Sequence, residues 1–190
     1  MNVNMIAYMV LGLMAMLLGV AVWCDVTSRR IPNWLVFTGM ALGLVLNGVL
    51  PKGFGFNSYL PGGLGWIASL EGLAIGLAVM LPLYLLRAMG AGDVKLMAMV
   101  GAFLGVEQVL GAVVATFLVG GVMALAIALK TRVLMQVMSN LKQMMFLGAV
   151  KVSAGQVPSL EGTAVSTGRL PYAVAIAVGT MVSLVWHRML

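Results

Sequence analysis

Apolar residues fall into six blocks along the chain: 5–23, 34–50, 66–86, 94–106, 108–129 and 171–186. Nearly all charged residues lie between the blocks or at their edges. A run of roughly 20 apolar residues is the length that crosses a hydrocarbon core as a helix. A helix also satisfies its own backbone polar groups there. The pattern therefore predicts an all-α, polytopic membrane protein with six transmembrane helices. The fourth block has only thirteen residues, about 20 Å of helix against a core of roughly 30 Å. Either Gly105-Val106-Glu107 is a kink within a hairpin at membrane depth, or the bilayer thins there. Gly101 and Gly105 stand four apart, a spacing that permits close helix approach, and tight packing is its simplest reading.

The connections differ in character. Residues 51–65 are rich in Gly, Pro, Asn and Ser, the signals of a loop. Within 131–150, Leu134, Val137, Met138, Leu141, Met144 and Met145 recur at helical spacing, with Arg132, Gln136, Asn140, Lys142 and Gln143 between them. That is the pattern of an amphipathic helix lying on the membrane surface. A seventh span would carry those polar residues into hydrocarbon. Residues 153–168 are Gly-, Ser-, Thr- and Pro-containing loop sequence. No internal repeat is evident, and residues 1–190 read as one membrane-embedded domain.

Composition agrees with the block pattern. The chain is 62% hydrophobic and 8% charged, with a mean hydropathy of +1.09; soluble domains carry about a quarter charged residues. Nine of the eleven basic residues fall on one side of the predicted spans: Arg29, Arg30, Arg87, Lys95, Lys130, Arg132, Lys142, Lys151 and Arg169. Positive charge marks the cytoplasmic side. The termini then face the opposite side, and the amphipathic segment is cytoplasmic. The net charge of +6 suits anionic lipid as a partner. No basic run with interleaved aromatics points to nucleic acid. The single cysteine, Cys24, forms no internal disulfide and reads as a small apolar residue at a helix end. No metal-ligand spacing or cofactor motif is present. The seventeen methionines read as adaptable apolar packing, and His187 as an interfacial residue. The first block lacks a basic n-region and a small-residue cleavage pattern, so it reads as a retained span.

Two of the five acidic residues stand at span ends on the predicted cytoplasmic side. Asp25 lies in Cys24-Asp25-Val26-Thr27-Ser28-Arg29-Arg30-Ile31-Pro32-Asn33, where Pro32 excludes a continuous helix. Asp93 lies in Gly90-Ala91-Gly92-Asp93-Val94-Lys95, where the glycines allow close backbone approach. Each has an ordinary reading. Asp25 suits a solvated loop acid paired with Arg29, and Asp93 an N-cap after a glycine turn. An ionisable carboxyl at a bilayer edge is nevertheless a functional hypothesis by default. Peptide hydrolysis without metal or nucleophile needs one carboxylate to activate water and one carboxylic acid to protonate the carbonyl oxygen or leaving amine.

Together the two segments resemble the prepilin peptidases, membrane aspartyl proteases of the GxGD type. The resemblance rests on Asp25 with Arg30-Ile31-Pro32-Asn33. It rests also on Gly90-Ala91-Gly92-Asp93-Val94-Lys95-Leu96, continued by Gly101-Ala102-Phe103-Leu104-Gly105. It covers nearly the whole chain in order and spacing. It implies Asp25 and Asp93 as a catalytic dyad, supported by Gly90, Gly92, Lys95, Arg30, Pro32 and Asn33. Snorkelling to lipid phosphate is an equal reading for Lys95 and Arg30. Gly168-Arg169-Leu170-Pro171-Tyr172-Ala173 looks like the entry to the family's last span. The larger family members carry a C-x-x-C region with N-methyltransferase activity, and this chain has neither. It is similar to the short CpaA/TadV form of tight-adherence (Flp-type) pilus systems. The implied substrate is a prepilin with a short basic leader and an apolar helix. It would be cut at the cytoplasmic face of the bacterial inner membrane, with no cofactor and no metal. Intramembrane acids also mark ion or proton pathways, so a transporter subunit is one alternative. A non-catalytic subunit of pilus or secretion machinery is another.

Overall fold

The structure, a computed structural model, describes residues 3–50, 63–86, 89–130 and 171–189. The predicted amphipathic helix at 131–150, the loop at 153–168, most of the 51–65 connection and the side chain of His187 lie outside the described residues. The described chain is helical throughout: α1 Val3–Ser28, α2 Asn33–Val49, α3 Trp66–Leu85, α4 Ala91–Lys130 and α5 Tyr172–Met189.

Among the described residues, three helices have the length and apolar character to cross a membrane, Tyr8–Ser28 in α1, Trp66–Leu85, and Ala91–Ile127 in α4. Asn33–Val49 and Tyr172–Trp186 are shorter apolar helices. Pro32, extended at φ −64° and ψ 134°, precedes α2 and separates it from α1.

The fourth and fifth apolar blocks form one element broken at Gly105, where φ 76° and ψ −172° are not helical. A side chain there would be strained, and only glycine takes that conformation freely. The chain folds back at this point. Met97 and Val109, twelve residues apart, both lie against the same residue of α3, Gly76. Residues 91–104 therefore make one arm of a helical hairpin and residues 106–130 the other.

A helix that stops leaves its last carbonyls without partners. Here side chains of two neighbouring helices supply them. Asn47 Nδ2 donates to the carbonyls of Ala102 at 2.7 Å and Phe103 at 3.1 Å. Ser69 Oγ donates to Ala102 at 2.5 Å. Both donors are buried, so the break is satisfied inside the protein, the condition for non-helical backbone at membrane depth.

The first arm is the centre of the bundle, and residues 96–105 are all buried. It packs on α3 through glycines. A Cβ at Gly72 would meet the carbonyl oxygen of Gly101, and one at Gly101 would meet the carbonyl oxygen of Gly72. Gly76 faces the carbonyl of Met97 in the same way. On α2, Gly43 lies against Ala102 and Phe103. Small residues let helices approach closely enough for dispersion to hold them together in lipid, where no hydrophobic drive separates helix from tail. The second arm packs antiparallel to α5: Gly111 meets Ser183, Gly179 meets the backbone of Thr116, and Gly120 meets Ala175 and Tyr172. The ends of α1, α4 and α5 that carry Asp25, Asp93 and Ala173 thus come together.

Candidate active site

Asp25 does not sit in the connection after α1. It lies within α1, one turn before the helix ends at Ser28, and it is buried. Thr27 and Ser28 hydroxyls donate back to the carbonyls of Trp23 and Cys24, and Arg29 takes φ 54° as the helix stops. The carboxylate points into the bundle and meets the start of α5. Its Oδ2 accepts a 3.1 Å hydrogen bond from the backbone N–H of Ala173. That N–H belongs to the first turn of α5, so the free donors and positive dipole end of the helix face the acid. The solvated-acid reading of Asp25 fails because α1 runs five residues beyond Trp23, which carries Asp25 onto the same inner face as Met14, Leu18 and Ala21.

Asp93 is in the first turn of α4 and not at its N-cap. Its Oδ2 reaches back to accept from the N–H of Gly90 at 3.1 Å, while its own N–H donates to the carbonyl of Gly90. This is the reciprocal half of a capping box, with the acid at the third helical position and glycine at the cap. Gly92 is where the two motifs touch. A Cβ there would lie 3.2 Å from Cβ of Ile31, so the turn between α1 and α2 packs on the Gly90–Asp93 loop.

Asp25 is close enough to Asp93 for its charge to act on the Asp93 carboxyl. Each accepts one backbone N–H on Oδ2. Two carboxyls brought together in this way can share a proton and hold a water or a peptide carbonyl. Among the described residues no group of three or more His, Cys, Asp or Glu gathers that would hold a metal ion.

The other predicted site residues divide. Lys95 turns to α2, donating from Nζ to Asn33 Oδ1 at 2.9 Å and standing 5.3 Å from the Phe37 ring centroid. Lys95 and Asn33 thus tie the first turns of α4 and α2 together. Pro32 precedes that turn of α2. Arg30 is exposed, and its carbonyl accepts from Ser28 Oγ at 3.2 Å. The Ala173 N–H was not legible from side-chain motifs, because the donor is backbone. Pro171 just ahead of it is the usable signal, since proline favours a helix start.

Residues 12–125 match the family model described as the type IV leader peptidase family. The chain belongs to this family. It is a prepilin peptidase, an aspartic endopeptidase, and a membrane protein with several apolar helices. No curated protein and no solved structure gives a match. In this leader peptidase the matched region contains both Asp25 and Asp93 and ends before α5. The backbone donor to Asp25 therefore comes from outside the matched residues.

The Lys95–Asn33 tie has a checkable consequence. In Lys95→Met, the lost hydrogen bond and ring contact are expected to lower thermal stability by about 1–2 kcal/mol, with cleavage reduced but measurable. Complete loss of cleavage at an unchanged melting temperature would show instead that Lys95 touches the reacting atoms.

Proposed function

We propose that Asp25 and Asp93 are the catalytic dyad of this leader peptidase. The observation that carries the reading is their approach at one end of the bundle, each carboxylate accepting a backbone N–H on Oδ2. One carboxylate takes a proton from water as the oxygen attacks the scissile carbonyl. The other, as the acid, protonates that carbonyl oxygen. The C–N bond of the gem-diol breaks as the leaving amine takes the proton gained from water, and a diol hydroxyl gives its proton back to the other carboxylate, which returns the dyad to its starting state. Like charges so placed do not ionise together cheaply, so the pair shares one proton, and its titration belongs to the pair.

The substrate is a prepilin of the tight-adherence (Flp) type, cut between a short basic leader and an apolar helix that stays in the bilayer. Two features support this: the absence of any C-x-x-C pair between the two acidic segments, and the resemblance to the short form of the family. The protein crosses the bacterial inner membrane six times, the two arms of α4 counting as two crossings, with the dyad on the cytoplasmic side. The distribution of basic residues supports that orientation. Anionic lipid is the counterpart of the positive cytoplasmic face. Gly90, Gly92, Pro32 and Asn33 shape the loops around the dyad, and Lys95 fastens them.

The test is mass spectrometry of a co-expressed Flp-type prepilin. The expected product begins at the residue after the leader and carries no N-methyl group. A product methylated by this protein alone, or an uncut Flp-type prepilin beside a processed prepilin of another class, overturns the substrate assignment.

A further inference from the structure

The two acids stand on parts of the bundle that are held differently. Asp93 belongs to the closely packed part. The arm that it opens is buried from residue 96 to 105. Lys95 ties that arm to Asn33 of α2, and glycines bring it onto α3. Asp25 belongs to α1, which α2 holds less closely. Leu17 lies against Gly39 of α2. Away from the dyad the two helices part around a cavity of about 530 Å³, with Met9, Leu13 and Met16 on one wall and Leu46 and Leu50 on the other. Residues 26–30, which lead from Asp25 into the turn before α2, are all exposed. α1 packs chiefly on α5 instead, and α5 supplies the N–H of Ala173 to the Asp25 carboxylate.

That bond has two readings: the acid caps α5, or α5 anchors the acid. Three observations favour the second. First, the start of α5 has other support. Pro171 has no N–H to satisfy and suits a helix start, and the Val174 N–H turns back to the Pro171 carbonyl at 3.1 Å. Second, the place of α5 is fixed without Asp25. Gly179 lies against the backbone of Thr116, Gly111 against Ser183, and Gly120 against Ala175 and Tyr172. These contacts spread from 172 to 183 in α5, so sliding or turning the helix would drive it into the second arm of α4. Third, the bond lies away from water, with Ala173 at 0% and Asp25 at 9% exposure. A carboxylate turned elsewhere would leave a buried N–H without a partner. An aspartate on a helix has more than one staggered χ1 well, and the fixed N–H selects among them.

We propose that the backbone N–H of Ala173 is the positioning group that turns the Asp25 carboxyl toward Asp93, so that the docking of α5 on the second arm of α4 sets the geometry of the dyad. The proposal rests on the proteolytic reading of Asp25 and Asp93 above. Ala173 acts through Asp25 and does not touch the reacting atoms. Its effect is on the rate of the chemical step, where a displacement of about 1 Å costs roughly 100-fold.

The test removes that N–H alone. Lactic acid placed at position 173 by cell-free synthesis puts an ester oxygen where the N–H stood and keeps the methyl group. Ala173→Pro removes the same donor genetically, and Ala173→Gly, which keeps it, is the rescue. With a Flp-type prepilin in reconstituted vesicles, kcat is expected to fall about 10- to 100-fold for the ester and for Ala173→Pro, with KM within about threefold. Ala173→Gly is expected to restore kcat to within about threefold of wild type. If the bond only caps α5, the ester lowers the melting temperature and leaves kcat of the folded protein at the wild-type value, which overturns the proposal. Amide exchange reads the bond without catalysis. In protein made with isotope-labelled alanine, the Ala173 N–H is expected to exchange about tenfold faster in Asp25→Leu and within about twofold of wild type in Asp25→Asn. Equal exchange in wild type and Asp25→Leu overturns the proposal. Normal cleavage by Asp25→Asn overturns instead the dyad on which it rests and leaves the exchange result standing, so the two failures are told apart.

Discussion

Asp93→Asn is expected to lower prepilin cleavage by about 10²- to 10⁴-fold while the protein still inserts and folds. The change is isosteric. An asparagine side-chain oxygen can keep the 3.1 Å bond from the Gly90 N–H, so the first turn of α4 retains its cap. What is lost is the capacity to hold and release a proton beside Asp25. Asp25→Asn should behave alike, since its oxygen can still accept from Ala173. The double variant should lose little more than either single one, because the two groups act as a unit. The measurement is the fraction of prepilin processed over time in reconstituted vesicles, with the melting temperature taken in parallel. Wild-type cleavage by either single variant would sink the dyad assignment. Loss of cleavage together with a large drop in melting temperature would mean that the acid is structural.

Gly101→Val should unfold or strongly weaken the bundle. A Cβ at Gly101 meets the backbone carbonyl of Gly72, not the far end of a flexible side chain. Neither helix can yield without separating α3 from the first arm of α4. Overpacking of this kind costs about 1–3 kcal/mol and more where the backbone must move, and a change at the upper end is expected. Gly19→Val is the matched control. Nothing lies within 4 Å of a Cβ at Gly19, so its stability should stay within about 0.5 kcal/mol of wild type. Thermal unfolding in detergent distinguishes the two. Equal stability of both variants would show that α3 and α4 do not approach as closely as the glycines indicate.

Much of the architecture was legible in the sequence because lipid allows few solutions. An apolar block must be a helix that closes its own hydrogen bonds, so the block limits at 33 to 34, 49 to 50, 66 and 85 to 86 nearly coincide with helix limits. The short fourth block left two readings, a kink at Gly105-Val106-Glu107 or a locally thinned bilayer, and the positive φ at Gly105 fits the first. The two acidic motifs were legible as a pair, and the family match covers both. The reading was less good at helix ends. Asp25 belongs to α1 because polar residues at a membrane surface can continue a helix as readily as end it, and hydropathy does not register the difference. The ordinary reading of Asp93 as an N-cap meets a glycine in that place, and the acid, at the third helical position, reaches back to it.

By itself the sequence determined the membrane class, the number and order of apolar blocks, the glycine break and the two acid-bearing segments, because each depends on residues near one another in the chain. Only the tertiary structure decided what those segments touch. The Ala173 N–H on Asp25 joins residues 148 apart, and the Asn47 bonds that complete the broken helix join residues 55 and 56 apart. Backbone donors and carbonyls are the same in every residue, so no side-chain pattern announces which one will face a carboxylate. That choice is made by how closely glycine-lined helices pack, which fixes the depth and rotation at which each helix end arrives beside Asp25 and Asp93.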